Sequence, residues 1–442
     1  MRRIPQIVMA VEGLFGAWAQ EANRVCRVVR RKRKFTPMSL AQTLVLGFLA
    51  KPKASDKELA EMAALCGVAV TPQAIGQRFT PQFVEFAEQL LRQAIGSVVG
   101  AKTALAPLLA RFPQVFVLDS TVIRLPDTLR ERFPGCGGSY GSGQAAMKIQ
   151  VQWDLCSGAW HAVSLEAGRD CDYKTPLQSA PLPAGSLRIA DLGYFDTEVF
   201  ERISQNGAFW LSRLQFGTAV FTPEGSPWPL LAWLAQQPET VVDRPVRIGS
   251  ERKVFARVLA WRVPQEVADR RRQKLIVEAR RKSGRTPGAE RLAWCDWTIL
   301  ITNVPAEKLT LREAAVLYRA RWQIELLFKR WKSLGKVGEF GAASVVRQMA
   351  QLWLRLLAVV VEHWIVLSTS WGDARVSLMK ASQCIRRHAG LLAGALGKRD
   401  QLEALLEIMR GAIRSTAQFN KRKRPRTFEL LNDPSLLEYP LT

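Results

Sequence analysis

Histidine is scarce in this chain: three in 442 residues. The seven cysteines, at positions 26, 66, 136, 156, 171, 295 and 384, are scattered and form no CxxC pair. With neither cysteine pairs nor clustered histidines, a zinc site or a disulfide framework is not expected, and a reducing cytoplasm fits. Acid is short as well. Only 39 Asp and Glu stand against 63 Lys and Arg, a formal net charge of +24. Such an excess favours a polyanionic partner, nucleic acid first and a membrane surface as the alternative. The N-terminus, MRRIPQIVMAVEGLF, carries Glu12 early and lacks a small-residue cleavage site, so no signal peptide is expected. The most apolar run, 349–367, is broken by Arg355, Glu362 and His363, which suits a buried helix better than a membrane span. No internal repeat is visible.

What is present is enough apolar residue, 48%, for a substantial core. The length calls for two or three units. Residues 1–110 read as helices and include the basic run Arg30-Arg31-Lys32-Arg33-Lys34. Within them, 56–79 suggests a helix, a turn at Gly67, and a second helix capped by Thr71 with Pro72 at its first position. That outline fits a helix-turn-helix presenting Gln73, Gln77 and Arg78 to DNA, or an ordinary helical hairpin. From 115 to 215 the pattern changes. The continuous apolar run 115–118 reads as a strand buried on both faces, and Leu187-Arg188-Ile189-Ala190 as another buried strand. Alternation over 148–155, a turn at Cys156-Ser157-Gly158 and a return over 160–166 make a hairpin. A helix over 195–206 and a strand over 209–214 complete a mixed α/β sheet. Residues 216–296 look like an insertion, with a strand over 254–263 and an Arg- and Lys-rich stretch over 269–285. A strand over 297–302 follows, then a helix capped by Thr310 and running from 311 to about 334. The remainder to about 408 is helical, and the basic tail at 421–426 reads as mobile and solvated.

Asp119 and Asp191 each follow a strand read as buried. Ligands of open α/β sheets gather beyond the carboxyl ends of strands, so both acids are candidate site residues. Each is also of the type that caps a helix or closes a turn. Gly193 lets backbone or ligand come close. On the helix over 311–334, Tyr318, Arg321, Glu325 and Lys332 fall within roughly a 60-degree arc. Leu317, Ala320, Ile324, Leu327, Phe328 and Trp331 form the neighbouring apolar face. An Arg321–Glu325 surface ion pair at i,i+4 accounts for two of the four residues but not for Tyr318 and Lys332 in the same line. Asp154, Asp170, Asp172 and Asp196 are rival acids; Asp154 lies on a hairpin strand and Asp196 belongs to a helix start. The glycine-rich stretch 135–143 lacks a GKS or GKT ending and lies between strands, so it reads as a loop near the site, not a phosphate loop.

The spacing Tyr318-x2-Arg321-x3-Glu325-x6-Lys332, within LYRARWQIELLFKRWK, resembles the YREK signature of bacterial insertion-sequence transposases of the DDE class. Asp119 in VLDST and Asp191 in IADLGY stand where that family keeps its first two acids. The resemblance covers about 110–345. It implies an RNase H-like mixed sheet flanked by helices, with a β-rich insertion and helical N- and C-terminal regions. It implies catalytic-domain parts at 111–215 and 306–345 and the insertion at 216–305; on either side, the helical and basic pattern makes 1–110 a helical DNA-binding region and 346–442 a helical C-terminal region. It also implies catalysis by Asp119, Asp191 and Glu325 holding two Mg²⁺, with Mn²⁺ able to substitute. Double-stranded DNA, as terminal repeats and target, would be gripped by Tyr318, Arg321 and Lys332, with Arg213 a further phosphate contact. Trp297 would hold a flipped base, with Trp294 and Trp261 as rivals and core packing as the other role for each. A homodimer in the synaptic complex is expected, since two ends must meet. The readings that compete are a decayed transposase that only binds DNA, a metal-dependent nuclease, and a membrane-surface protein.

Overall fold

A computed structural model describes residues 4–30, 34–101, 106–136, 144–341, 343–420 and 424–437. The middle of the basic run at 30–34, most of the glycine-rich stretch at 135–143 and the first half of the tail at 421–426 lie outside the described residues. The chain divides into two compact units. One comprises Ala104–Asp119, Cys171–Gln323 and Arg422–Thr442; the other comprises Met1–Thr103, Ser120–Asp170 and Ile324–Lys421. The fold is mixed α/β. Its strands are β1 (Val115–Arg124), β2 (Ala146–Asp154), β3 (Trp160–Ala167), β4 (Leu187–Ala190), β5 (Phe209–Arg213), β6 (Val220–Phe221), β7 (Val241–Ile248), β8 (Val254–Arg262) and β9 (Trp297–Thr302). They form a nine-stranded sheet in the order β3-β2-β1-β4-β5-β9-β8-β7-β6.

In the unit that contains β4 and β5, the first half of β1 pairs in parallel with β4, from Val115 opposite Leu187 to Leu118 opposite Ala190. β4 pairs in parallel with β5, and the helix Thr197–Gln205 links the two. Val115 to Leu118 and all four residues of β4 are buried, as in strands covered on both faces; Arg188, the charged residue of β4, donates to the backbone and side-chain oxygens of Gln178. β9 pairs antiparallel with β5, β8 with β9, and β7 with β8. Phe116, Phe200, Trp210, Val246, Val258, Ile299 and Ile301 share one core, each such burial contributing about 1.5–3 kcal/mol. Two expectations need correction here. β1 does not stop at Leu118 but runs to Arg124. The segment 216–296 holds strands β6, β7 and β8, but also the 19-residue helix Gln265–Ser283. β7 escaped the sequence reading because Pro245 sits inside it. β6 pairs only with Ile248 and Arg247 of β7, so the proline occupies a stretch with no second neighbour.

In the other unit, the helix Val345–Thr369 forms the centre. It is long and apolar enough to cross a membrane, yet its apolar window is wholly buried by protein. The three residues that interrupt it each find a partner. The Arg355 guanidinium donates to the carbonyls of Pro52, Lys336 and Glu339. Glu362 pairs with Arg386 at 2.5 Å. A ring nitrogen of His363 lies 2.8 Å from the Gly158 carbonyl, and the ring stacks on Trp160. A buried polar group without such partners would cost several kcal/mol. Farther toward the N-terminus, the helix Asp56–Leu65, Gly67 at φ 78° and the Thr71 cap of the helix Pro72–Gly76 follow the expected outline. The second helix, however, is only five residues long, about 7.5 Å, which is short for a recognition helix. Gln73 and Gln77 are exposed, while Arg78 is half-buried over the Phe35 ring.

Candidate active site

Two parallel strands side by side bring two acids together. The register pairs Leu118 with Ala190, and the next residues on the two strands are Asp119 and Asp191. Adjacent strands lie roughly 4.8 Å apart, so the two carboxylates leave neighbouring backbone positions. Asp191 occupies the N-cap position of the short turn Leu192–Tyr194, but its side chain makes no capping bond. That removes the ordinary structural reason for an aspartate at this point. By contrast, Asp196 caps the helix Thr197–Gln205 by accepting from the backbone of Glu198 and Val199. Asp154 closes the hairpin turn by accepting from the backbone of Cys156 and Ser157, and Asp170 accepts from Ala167. Asp172 differs from these: its Oδ2 lies 3.5 Å from where a β-carbon on Gly193 would stand.

The helix Leu311–Ala320 supplies the positive side of the site. Thr310 and Glu313 close a capping box at its start, and Arg111 pairs with Glu313 at 2.5 Å, fixing the helix to the segment before β1. The single helix expected over 311–334 is two: Leu311–Ala320 and Trp322–Ser333, broken at Arg321. There the backbone N–H bonds the Tyr318 carbonyl, three residues back, where an unbroken helix bonds four back. The four-residue stripe inferred from one straight helix is therefore carried on two segments. Arg321 Nη1 meets Asp119 Oδ2 at 2.9 Å, with both side chains largely buried. The Tyr318 hydroxyl donates to Asp191 Oδ1 at 3.4 Å. Burial, and next the charge of Asp191, push the Tyr318 phenol well above its usual range, so it stays protonated and can only donate to an anion. Arg213, at the end of β5, is close enough to Tyr318 and to Arg271 to act on both electrostatically. Asp119, Asp191, Tyr318, Arg321 and Arg213 thus gather in one unit.

Glu325 and Lys332 lie on Trp322–Ser333, in the part of that helix that belongs to the other unit. Glu325 is half-buried; Lys332 is exposed, although partial burial of its amine lowers its pKa. Among the described residues, no three His, Cys, Asp or Glu side chains converge closely enough to hold a metal ion.

A family model described as the transposase DDE domain matches residues 110–361. The chain belongs to the transposase DDE family. It is similar to the transposase for insertion sequence element IS231F of Bacillus thuringiensis subsp. israelensis, 28% identical over 363 residues, 77% of this chain and 75% of that protein. The transposase for IS231B of Bacillus thuringiensis subsp. berliner is 25% identical over 414 residues, 87% of this chain and 85% of that protein. The transposase for IS1151 of Clostridium perfringens is 27% identical over 318 residues, 67% of this chain and 66% of that protein. Membership of the DDE family carries with it action on DNA and dependence on a divalent metal.

Within this DDE transposase, the tryptophans divide by burial. Trp297 is 6% exposed and packed in the core beside Ile299. Trp261 is buried too. Trp294 is half-buried, edge-on to Phe216, and lines a cavity of about 680 Å³ with Trp228 and Phe221. Sequence reasoning passed over Trp322. It is 54% exposed and follows Arg321 directly. A signal was available, because on the wheel it falls only about 40 degrees from Tyr318. Asp172 and Arg271 were also undervalued, since nothing in their local sequence marks them as neighbours of Gly193 and Arg213.

Proposed function

We propose that this chain cuts DNA at the ends of an insertion sequence and joins those ends to target DNA, with Asp119, Asp191 and Glu325 as the catalytic and metal-holding carboxylates. The observation that carries this reading is the pair of acids at adjacent positions of parallel strands, Asp119 within β1 and Asp191 just after β4, met by Arg321 and Tyr318 from the helix side. The donor set suits Mg²⁺, with Mn²⁺ as substitute, because both take oxygen ligands and leave room for water and phosphate. Asp119 already draws a cation, Arg321, to its carboxylate, which supports its fitness to meet positive charge. Bound there, two such ions would activate the attacking oxygen and stabilise the leaving one.

The chain's own groups do the positioning. Arg321 offers a planar fork to a phosphate, and Lys332 offers a point charge. The protonated Tyr318 hydroxyl donates a hydrogen bond to a phosphate oxygen, and Arg213 adds a second cation. With Trp297 held in the core, Trp294 and Trp322 have the exposure that stacking on an unpaired base requires. Two ends must be held at once, so the working form on DNA is a homodimer, in the cytoplasm where chromosome and plasmid lie. The test is cleavage of labelled DNA carrying the element's ends, in Mg²⁺ or Mn²⁺, by wild type and by Asp119→Ala, Asp191→Ala and Glu325→Ala. Metal-dependent cutting and joining by wild type alone supports the reading. Binding without cutting points to a decayed transposase. Cutting without a joined product points to a nuclease.

A further inference from the structure

β4 carries one charged residue, Arg188, three positions before Asp191, and it is only 2% exposed. Among the described residues its guanidinium bonds no carboxylate. It donates instead to the backbone oxygen of Gln178 at 3.2 Å and to the Gln178 side-chain oxygen at 2.9 Å. Burial brings its pKa down to about 10, so it stays charged at neutral pH. Taking a charge out of water is costly, and an apolar side chain would suit a buried strand without that cost. What the arginine holds in return is Gln178.

Gln178, itself buried, grips the chain on both sides of Asp191. Its Oε1 accepts from Arg188 on the strand before the acid. Its Nε2 donates to the Tyr194 carbonyl at 2.9 Å, at the end of the turn after the acid. Its own carbonyl also accepts from Arg202 at 3.5 Å, on the helix Thr197–Gln205 that follows the turn. Chemistry fixes the orientation of the Gln178 amide: turned over, its NH₂ would face guanidinium donors and its oxygen a carbonyl. Within the turn the Tyr194 N–H bonds the Asp191 carbonyl at 3.0 Å. The Asp191 carboxylate makes no capping bond, so its aim depends on the backbone of this turn and on Tyr318.

We infer that Arg188 and Gln178 are positioning residues for Asp191: the buried guanidinium orients the Gln178 amide, and the amide clamps the Tyr194 carbonyl and with it the turn that aims the carboxylate. This inference rests on the reading of Asp191 as a metal-holding acid. Both residues act through Asp191 and not on the DNA. A site carboxylate has to be held within about 0.5 Å of its working place, and groups standing behind the ligand do that holding.

The experiment titrates Mn²⁺ into full-length protein bound to a duplex that carries an already cut element end. Free Mn²⁺ is read by electron paramagnetic resonance, binding to the duplex alone is subtracted, and thermal unfolding of each protein is recorded in EDTA. Wild type is compared with Asp191→Ala, Gln178→Glu and Arg188→Met. Gln178→Glu keeps an oxygen against Arg188 but replaces the donor to Tyr194 with an acceptor. Its melting in EDTA should stay close to that of wild type, while the Asp191-dependent Mn²⁺ affinity falls about tenfold or more. The Mn²⁺ needed for half-maximal cleavage of an uncut end should rise by the same factor. Arg188→Met, which frees the amide but removes a buried charge, should shift both readings the same way by less. Wild-type Mn²⁺ affinity in the two variants overturns the inference. A lowered melting temperature with unchanged Mn²⁺ affinity below the transition also overturns it, because the pair then serves the fold alone. Should Gln178→Glu fail to fold, Arg188→Met decides by the same two readings. If Asp191→Ala binds Mn²⁺ as wild type does, the reading of Asp191 as a metal-holding acid fails, and its positioning residues fail with it.

Discussion

Arg321 and Asp119 are the pair whose disruption is most informative. Their 2.9 Å contact is charge-assisted, with side chains only 12% and 17% exposed. A hydrogen bond to a charged group contributes about 1.5–3 kcal/mol, and screening is weak at that burial. Arg321→Gln should therefore destabilise the unit that holds both residues by about 2 kcal/mol in metal-free buffer. For a unit of this size that is a fall of about 4–8 °C in Tm. The same substitution removes the cation competing for the Asp119 carboxylate. If Asp119 is a metal ligand, added Mn²⁺ or Mg²⁺ should recover part of the loss, since whatever binds only the folded state stabilises it. The assay is thermal unfolding of wild type and variant, each in EDTA and over a series of metal concentrations. A gap between the proteins that metal narrows is the expected result. A gap that is the same with and without metal would refute the assignment of Asp119 to a metal site, and no gap at all would refute the energetic weight given to the pair.

Two further outcomes follow from the other unit. Burial, and next the charge of Arg330, hold His363 neutral in the fold, with its pKa brought down from 6.5 to about 3. The unfolded chain takes up a proton below pH 6.5 while the folded one does not until about 3. Stability is thus complete above 6.5 and falls as pH drops through that window, by about 2 kcal/mol between pH 7 and 5. Denaturant titrations at those two pH values check it, and His363→Gln should flatten this part of the profile. Gly158 has φ 75°, and an added β-carbon would lie 2.5 Å from Leu367 and 2.6 Å from Trp371. Left-handed strain and overpacking together put the cost of Gly158→Ala at about 3 kcal/mol, readable as a lowered denaturation midpoint.

Local sequence determined the parts whose physics is local. The continuous apolar run at 115–118 and the short segment Leu187-Arg188-Ile189-Ala190 read as strands covered on both faces, and they are. The Thr310 cap, the hairpin turned at Gly158 and the Asp196 helix start are set within three or four residues, and each was legible. The wide spacing of Asp119, Asp191, Tyr318, Arg321, Glu325 and Lys332 was legible as a pattern because it resembles a family's signature. Periodicity alone would not have joined strand ends to a helix some 200 residues later in sequence. Tertiary structure decided the rest. The pairing of Leu118 with Ala190, which sets the first two acids side by side, is a choice of strand neighbours that no local propensity fixes. β7 contains a proline that argues against a strand until its partners are known. The break at Arg321 was invisible to a wheel that assumes 100 degrees per residue throughout. Trp297 and Trp294, three residues apart and alike in composition of their surroundings, differ because one points into the core and the other lines a cavity. Burial is a property of what packs against a residue, and in this chain those partners come from distant sequence.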